Sequence, residues 1–577
     1  MAEWPAWRWT RQVSRPPHDP HYRSLRERPH HVRAQEHLRQ AIEARVHTLR
    51  AGIPPDRVAA IIALVRAQDR LSRSPDSEPL PDLITGHRLT NLGGNLALRL
   101  CLEATGEADG AAIPGHEGWD DWSRRFREEC GRLAEAELVL GHVETGFMRL
   151  AEDGAGACHA WIATRRAPTS WRERADVDWW AAWLASRHEP ELRALRAEQP
   201  RPQTNERERD AHYLRLAAVH LERMGYQLGY PADAVLGGCA VETYRAVLGQ
   251  LIAWALQERD SGQEARPQPR QALIAALAAA LASHPEIIGR AVAGFTLDRE
   301  SAAWHAAVPG VAAAPLVRID GEQVVWSLFG LTTEPFFFLT RELKRRDAQE
   351  YHNSAHLREG VFREDLYALF PDTRFVTSPG RVALRRAGGD VRTDIDAIVF
   401  DRKSGTLAFF ELKSQDPFAR SIAELTRQRD NVLYANRQVS GVLAWLKQHG
   451  GDALLGRFAS RTAKTFRVQK VYPLVLGRYH AHFGDGPRPD GRAAWGTWAQ
   501  LLRLLDGQPV RAGDANPIAS LSSRLMKDVP SIGPAPDAPA REIAIGEARL
   551  VVHPSYAALR AATGEERGSD GDDRRLC

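Results

Sequence analysis

Apolar residues recur at helical spacing through most of residues 1–310. Two segments rich in proline, glutamine and charge, residues 197–210 and 259–271, interrupt this pattern and predict linkers. The first part of the chain is therefore predicted to be a mostly helical region. The apolar spacing places its main helices at about 37–71, 121–150, 210–258 and 272–284.

The pattern changes near residue 310, where short apolar runs begin to alternate with helices. Residues 315–331 contain two β-rich runs around Asp320 and Gly321, which predicts a hairpin. This alternation predicts an α-β-β-β-α-β core, in which helices flank a mixed sheet. Its elements are a helix, three strands, a helix and a strand, at about 336–370, 381–386, 393–400, 406–414, 419–449 and 466–480.

These changes divide the chain into three predicted parts. Residues 1–310 form the helical region, and residues 311–480 form the α/β domain. Residues 481–577 form a C-terminal extension with one helix, at about 495–507. The polar end of this extension is predicted to be disordered, because it contains too few apolar residues to pack.

Composition excludes several classes of protein. The mean hydropathy is −0.40, and no apolar run approaches the roughly 18 residues of a membrane-spanning helix. The first residues, MAEWPAWRWTRQ, lack the apolar segment of a secretory signal. The five cysteines are scattered without a CxxC pair, which argues against a disulfide framework or a zinc site. A cytoplasmic protein without a membrane partner is expected.

Charge is distributed unevenly along the chain. Residues 1–340 contain 40 arginines and no lysine against 44 Asp and Glu, a net charge of −4. Residues 341–480 contain 25 Lys and Arg against 16 Asp and Glu, a net charge of +9. This concentration of positive charge favours a polyanionic partner such as nucleic acid.

Three ionisable residues stand in otherwise apolar predicted strands. Asp396 lies in one strand, and Glu411 and Lys413 lie two residues apart on the next, so they point to the same face. Charges among apolar neighbours are costly unless they are paired or bind a metal. Two adjacent carboxylates suit a hard cation such as Mg²⁺, and an ammonium group beside them can stabilise charge that develops on a phosphate.

The segment TDIDAIVFDRKSGTLAFFELKSQ (393–415) resembles the PD-(D/E)XK nuclease superfamily, which has the restriction-endonuclease-like fold. The order of predicted elements is also similar, and the resemblance covers about residues 350–480. Ile395 stands where the family motif has a proline. The resemblance implies a Mg²⁺-dependent endonuclease acting on DNA, with Asp396 and Glu411 as metal ligands and Lys413 as the catalytic cation. Mn²⁺ is expected to substitute for Mg²⁺.

The family suggests further site residues. Asp394 is the competing first metal ligand, and would otherwise lie beside the metal ligands. The family often supplies another acid from the first core helix, here residues 357–370, where we select Glu364 as a metal ligand and Glu359 as the alternative. Gln415 and Gln428 are candidates for contacts with the substrate, and Gln428 resembles a glutamine of the RecB-like subgroup.

Two classes of function remain open at this point. The first is a metal-dependent nuclease acting on double-stranded DNA. The second is a nuclease fold that binds nucleic acid or serves as a scaffold without cleaving. The complete set of Asp396, Glu411 and Lys413 favours the enzyme. The acidic helical region is expected to bind a protein partner or to self-associate. Defence against foreign DNA is the favoured role, with DNA repair as the alternative.

Overall fold

The computed structural model of the chain describes residues 29–71, 80–104, 116–144, 148–162, 171–198, 205–307, 313–371, 373–385, 391–415, 422–483, 488–511, 513–530 and 540–553. The α-helices, α1 to α19 in chain order, are Pro29–Ala51, Arg57–Leu71, Leu80–Glu103, His116–Glu144, Trp171–Ala197, Glu206–Met224, Val241–Asp260, Arg270–Ala280, Pro285–Gly294, Arg299–Ala306, Leu328–Thr332, Pro335–Arg346, Ala348–Asn353, Ala355–Ala368, Ile422–Leu433, Ala435–Phe458, Ser460–Thr465, Trp498–Leu504 and Pro517–Lys527.

The strands form several small sheets between these helices. Together they confirm the predicted combination of many helices with mixed sheets. The strands, β1 to β17 in chain order, are Met148–Glu152, Cys158–Ile162, Val235–Leu236, Cys239–Ala240, Gln268–Pro269, Thr296–Leu297, Leu316–Arg318, Gln323–Trp326, Phe375–Thr377, Val382–Arg385, Val391–Ile395, Ala397–Asp401, Thr406–Lys413, Lys470–Gly477, Ala494–Thr497, Arg541–Ile545 and Ala548–His553.

The largest sheet has five strands in the order β15-β14-β13-β12-β9. Strand β12 runs antiparallel to both of its neighbours, β9 and β13. Strand β14 runs parallel to both of its neighbours, β13 and β15. Helices α15 to α17 form the crossover that parallel pairing between β13 and β14 requires. The predicted strands at 406–414 and 466–480 correspond to β13 and β14. The sequence did not predict β15, because its four residues directly precede α18.

Helices cover both faces of this sheet, and the alternation along β13 decides what each face contacts. Ala408, Phe410 and Leu412 belong to a hydrophobic cluster with α14, α18 and α19. Leu407 and Phe409 belong to a second cluster with α16. Glu411 and Lys413 have the parity of Leu407 and Phe409, so they point to the face that α16 covers.

The predicted hairpin forms, but its assignment to the α/β domain is wrong. Strands β7 and β8 pair antiparallel, and they also pair with β6 and β5 of the preceding helical region. One hydrophobic cluster extends from Leu192 to Tyr351, so residue 310 is not a boundary between cores. The predicted linker at 259–271 contains β5 and the ends of two helices, whereas the linker at 197–210 lies partly outside the described residues.

The prediction of a separate C-terminal extension is also wrong. Strand β15 and helices α18 and α19 complete the five-stranded sheet and its cover. Strand β17 pairs with β16 and, in parallel, with β2 of the helical region. The last part of the chain therefore joins both earlier parts. The predicted disordered tail lies largely beyond residue 553, outside the described residues.

Within the described ranges, no single helix is long and apolar enough to cross a membrane. The bent pair Arg270–Ala280 and Pro285–Gly294 meets the criterion only when its two helices are taken together, by length and composition.

Candidate active site

Asp396 lies at a bend where the chain passes from one sheet to another. Strand β11, before it, pairs with β10, and β12, after it, pairs with β13. Ala397 lies opposite Phe410, so the next position places Asp396 beside Glu411. The backbone N–H of Leu412 donates a hydrogen bond of 2.9 Å to Asp396 Oδ2. The hairpin therefore brings the two predicted metal ligands together.

Glu411 is a fully buried carboxylate without hydrogen-bond partners. Its relative exposure is 0%, and neither carboxylate oxygen has a hydrogen-bond partner among the described residues. Burial raises the pKa of Glu411 well above its usual value, and repulsion from Asp396 raises it further. Lys413 Nζ, 3.9 Å from Glu411 Oε2, opposes this shift without cancelling it. A cation bound beside the two carboxylates would therefore offset their mutual repulsion.

Lys413 is held in place by the helix that covers its face of the sheet. Its Nζ donates a hydrogen bond of 2.6 Å to Oε1 of Gln438 on α16. The same nitrogen lies 6.0 Å from the centre of the Tyr434 ring, which immediately precedes α16. We did not predict Gln438 from the sequence, although its spacing of four from Tyr434 places both residues on one side of a helix.

Arg381 connects the carboxylates on the exposed side of the site. Its guanidinium forms ion pairs with Glu359, with Asp396 (Nε to Oδ1, 3.2 Å) and with Asp394 (3.6 Å). Arg381 stands just before β10, and nothing in the sequence distinguished it from the other arginines. The structure therefore places Asp394 near Asp396, which the sequence predicts to be a metal ligand.

The structure does not bring the preferred helix acid, Glu364, to the carboxylate cluster, whereas the alternative, Glu359, lies there. The two residues are five positions apart on α14, so they project about 140° apart around the helix. Glu364 is exposed. Glu359 is partly buried, and its pKa is raised, first by burial and then by Asp396. Only Glu359 therefore belongs to the carboxylate cluster.

The side chain of Gln415 holds a turn, and its contact with the substrate stays a prediction. Its Oε1 accepts hydrogen bonds of 2.7 Å from the N–H groups of Tyr479 and His480, and its Nε2 donates one of 2.6 Å to His480 O. The carboxamide is thus engaged by the turn after β14. Gln428 is buried on α15, and its contact with the substrate stays a prediction.

Glu173, on α5 of the helical region, accepts hydrogen bonds from residues that follow the same turn. Its Oε1 accepts hydrogen bonds of 2.9 Å from the N–H groups of Ala481 and His482, and lies 2.9 Å from His482 Nδ1. Burial alone would raise the pKa of Glu173, but hydrogen bonds and attraction from His480 and His482 lower it to about 2. The helical region therefore supports the end of the sheet that carries the site.

The charge balance of the cluster fits a divalent cation. Within the part of the chain that the structure describes, four carboxylates, when ionised, form ion pairs with two cations, Arg381 and Lys413, which leaves a net charge of −2 for these six groups. The guanidinium of Arg363 also lies at the site, where it donates a hydrogen bond of 3.2 Å to the backbone oxygen of Asp396. Among the described residues, no group of three or more His, Cys, Asp and Glu side chains could hold a metal by itself. Mg²⁺ commonly uses one or two protein carboxylates and takes its other ligands from water and phosphate. The unpartnered oxygens of Glu411 beside Asp396 fit that role. The four carboxylates belong to Asp394, Asp396, Glu359 and Glu411.

No family model matches the chain, and no curated protein or solved structure shows significant similarity to it. The function is therefore proposed from the site itself.

Proposed function

We propose that the chain is a metal-dependent nuclease that hydrolyses phosphodiester bonds in DNA. One observation carries the proposal: Glu411, fully buried and without a hydrogen-bond partner among the described residues, lies beside Asp396, with Lys413 two residues further along the same strand. An uncompensated buried carboxylate is costly to a fold. A protein that only binds nucleic acid would gain nothing from it, whereas a cleavage site uses it to bind a cation.

Asp396 and Glu411 would hold the metal, Mg²⁺ or Mn²⁺. Glu359, which shares Arg381 with Asp396, is a further carboxylate of the cluster, and it becomes available if Arg381 moves away. When bound, the ion supplies a Lewis acid for the phosphate and a water molecule of lowered pKa. The remaining roles belong to side chains of this chain.

Lys413 stabilises the negative charge that grows on the phosphate and orients the attacking water. Its ammonium group lies 3.9 Å from Glu411 Oε2, so it acts as a cation and not as a base. The hydrogen bond to Gln438 fixes the ammonium group on the carboxylate side of the strand. Preorganised charge of this kind is worth more in a site that excludes water.

The proposed fold is the restriction-endonuclease-like core. Helix α14, strands β9, β12 and β13, helix α16 and strand β14 occur along the chain in the order α-β-β-β-α-β, which supports this proposal. Between them lie strands β10 and β11, which form a separate two-stranded sheet, and helices α15 and α17. Defence against foreign DNA remains the proposed biological role. DNA repair is the alternative role, and binding without cleavage is the alternative function.

Incubation of the full-length protein with DNA tests the function. Supercoiled plasmid, linear duplex and single-stranded DNA, with RNA for comparison, would each be mixed with EDTA, Mg²⁺, Mn²⁺ or Ca²⁺. We expect cleavage of DNA with Mg²⁺ or Mn²⁺ only, because the looser coordination of Ca²⁺ positions water poorly. Efficient cleavage in excess EDTA would contradict the proposal, and binding without cleavage under every condition would favour the alternative.

A further inference from the structure

The positive charge of the α/β domain is concentrated on one connection. Residues 431–470, which contain α16, α17 and the chain leading into β14, include seven Lys and Arg and one acid, a net charge of +6. The acid, Asp452, accepts a hydrogen bond of 2.7 Å from Val468 N–H and pairs with Arg467. Two thirds of the +9 of residues 341–480 therefore lie in this crossover.

All seven of these cations are exposed, and we call the six other than Arg467, which pairs with Asp452, the basic track. Three of them, Lys447, Arg461 and Lys464, form no hydrogen bond or ion pair with other described residues. The others have aromatic neighbours that fix their direction, such as Tyr434, whose ring centre lies 4.2 Å from the guanidinium of Arg437. The basic track consists of Arg437, Lys447, Arg457, Arg461, Lys464 and Lys470.

The basic track begins at the candidate active site and ends at the opposite end of the sheet. Arg437 and Lys413 lie near the ring of Tyr434, which is 46% exposed. At the other end, Lys470 pairs with Thr406, whereas Lys413 pairs with Gly477. The two ends of β13 are seven residues apart, roughly 23 Å. A duplex of about 7 base pairs covers this distance, at roughly 3.4 Å per base pair.

We propose that the basic track binds the phosphate backbone of duplex DNA on one side of the bond that is cut. This inference rests on the proposed function, since it takes Lys413 as the point of cleavage. Spaced, exposed cations suit phosphates, which are contacted without regard to base sequence. The track therefore supplies affinity and orients the duplex across the site, while Asp396, Glu411 and Lys413 act on the phosphate at its end.

A charge-matched pair of triple variants tests the track in the full-length protein. The track variant carries Lys447→Gln, Arg461→Gln and Lys464→Gln. The control carries Arg511→Gln, Arg524→Gln and Lys527→Gln, which are exposed on the sheet's other side, on or beside α19. Both lose three positive charges, so an effect of net charge alone appears equally in both. All measurements use a Glu411→Gln background in EDTA, which separates binding from cleavage.

Fluorescence anisotropy with duplexes of two unrelated sequences would be measured across a salt series. We expect the track variant to bind both duplexes more weakly and to lose about 3 from the slope of log affinity against log salt, about 1 for each phosphate contact. The control should keep the parental slope. The inference would be overturned if both variants lost the same DNA affinity, or if the track variant bound DNA like the parent. It would also be overturned if the track variant lost affinity for anionic vesicles, measured in parallel, but not for DNA. Cleavage by the parent protein decides the proposed function separately.

Discussion

The ammonium group of Lys413 donates a hydrogen bond to the side-chain oxygen of Gln438, with 2.6 Å between Nζ and Oε1. This contact joins the strand that carries the catalytic candidates to the helix that begins the basic track. It also separates two functions of the site, since Lys413 would act on the phosphate and Gln438 would position Lys413.

Replacement of Lys413 should lower the rate of DNA cleavage more than replacement of Gln438. Lys413→Ala should lower the single-turnover rate by about 100-fold or more, because it removes charge that stabilises the transition state. Lys413→Arg should not restore the rate, since a guanidinium is larger and planar. Gln438→Leu should lower the rate by about 10- to 100-fold, as expected for a residue that orients a catalytic group. DNA affinity should stay unchanged in each.

The conservative variant Gln438→Glu separates positioning from general damage to the fold. It keeps an oxygen acceptor for Lys413, so it should retain more activity than Gln438→Leu. If Gln438→Leu cleaves DNA at the parental rate, Gln438 does not position Lys413.

Arg381 should compete with the metal for the carboxylates. Arg381→Gln removes the cation that pairs with Glu359, Asp394 and Asp396. The variant should therefore show a lower melting temperature without metal and a larger rise in melting temperature when Mg²⁺ is added. Arg402→Gln, on the exposed turn between β12 and β13, is the control and should behave like the parent. A smaller Mg²⁺ response in Arg381→Gln than in the parent would contradict this competition.

Glu359, and not Glu364, should support metal binding. Glu359→Gln should reduce the rise in melting temperature that Mg²⁺ produces, because it removes one carboxylate from the cluster. Glu364→Gln changes the same group on the exposed side of the same helix, so it should leave the response unchanged. The opposite result for the two variants would restore the choice made from the sequence.

The apolar pattern of α14 contained the information that distinguishes these two acids. Glu359 is seven residues before the buried Leu366, so it lies on nearly the same side of the helix. Glu364 is two residues after the buried Phe362, about 200° away. The spacing rule that placed Glu411 and Lys413 on one face of a strand, applied to the helix, selects Glu359.

The contacts between distant parts of the chain could not be predicted in this way. Arg381 reaches Glu359 across 22 positions, and Glu173 reaches His482 across 309. Such contacts depend on how elements pack, which a local pattern does not encode. The parallel pairing of β17 with β2 is of the same kind, and it is why the predicted division into three parts does not correspond to the hydrophobic cores.

Glu173 should make stability depend on acid pH. The pKa of Glu173 is lowered to about 2 in the folded protein, against about 4.3 in an unfolded chain. Its contribution is therefore present above about pH 4.3 and is lost as the pH falls towards 2. Glu173→Gln should lower stability at pH 7, because it removes the carboxylate that the hydrogen bonds from Ala481 and His482 stabilise.

Melting temperatures between pH 7 and pH 3 measure this effect. The difference between the parent and Glu173→Gln should be largest at neutral pH and should shrink below pH 5. Glu191→Gln, exposed on the same helix, should match the parent throughout. A difference that does not change with pH would show that Glu173 contributes by packing and not through its charge.

The most direct test compares Glu411→Gln with Glu364→Gln in a single-turnover DNA cleavage assay with Mg²⁺, with melting temperatures recorded in EDTA. Glu411→Gln removes a buried carboxyl group beside Asp396 while keeping the side-chain size. We predict that it cleaves at least about 100-fold more slowly than the parent and melts at the same temperature or higher, whereas Glu364→Gln keeps the parental rate. Parental cleavage by a folded Glu411→Gln variant would contradict the account.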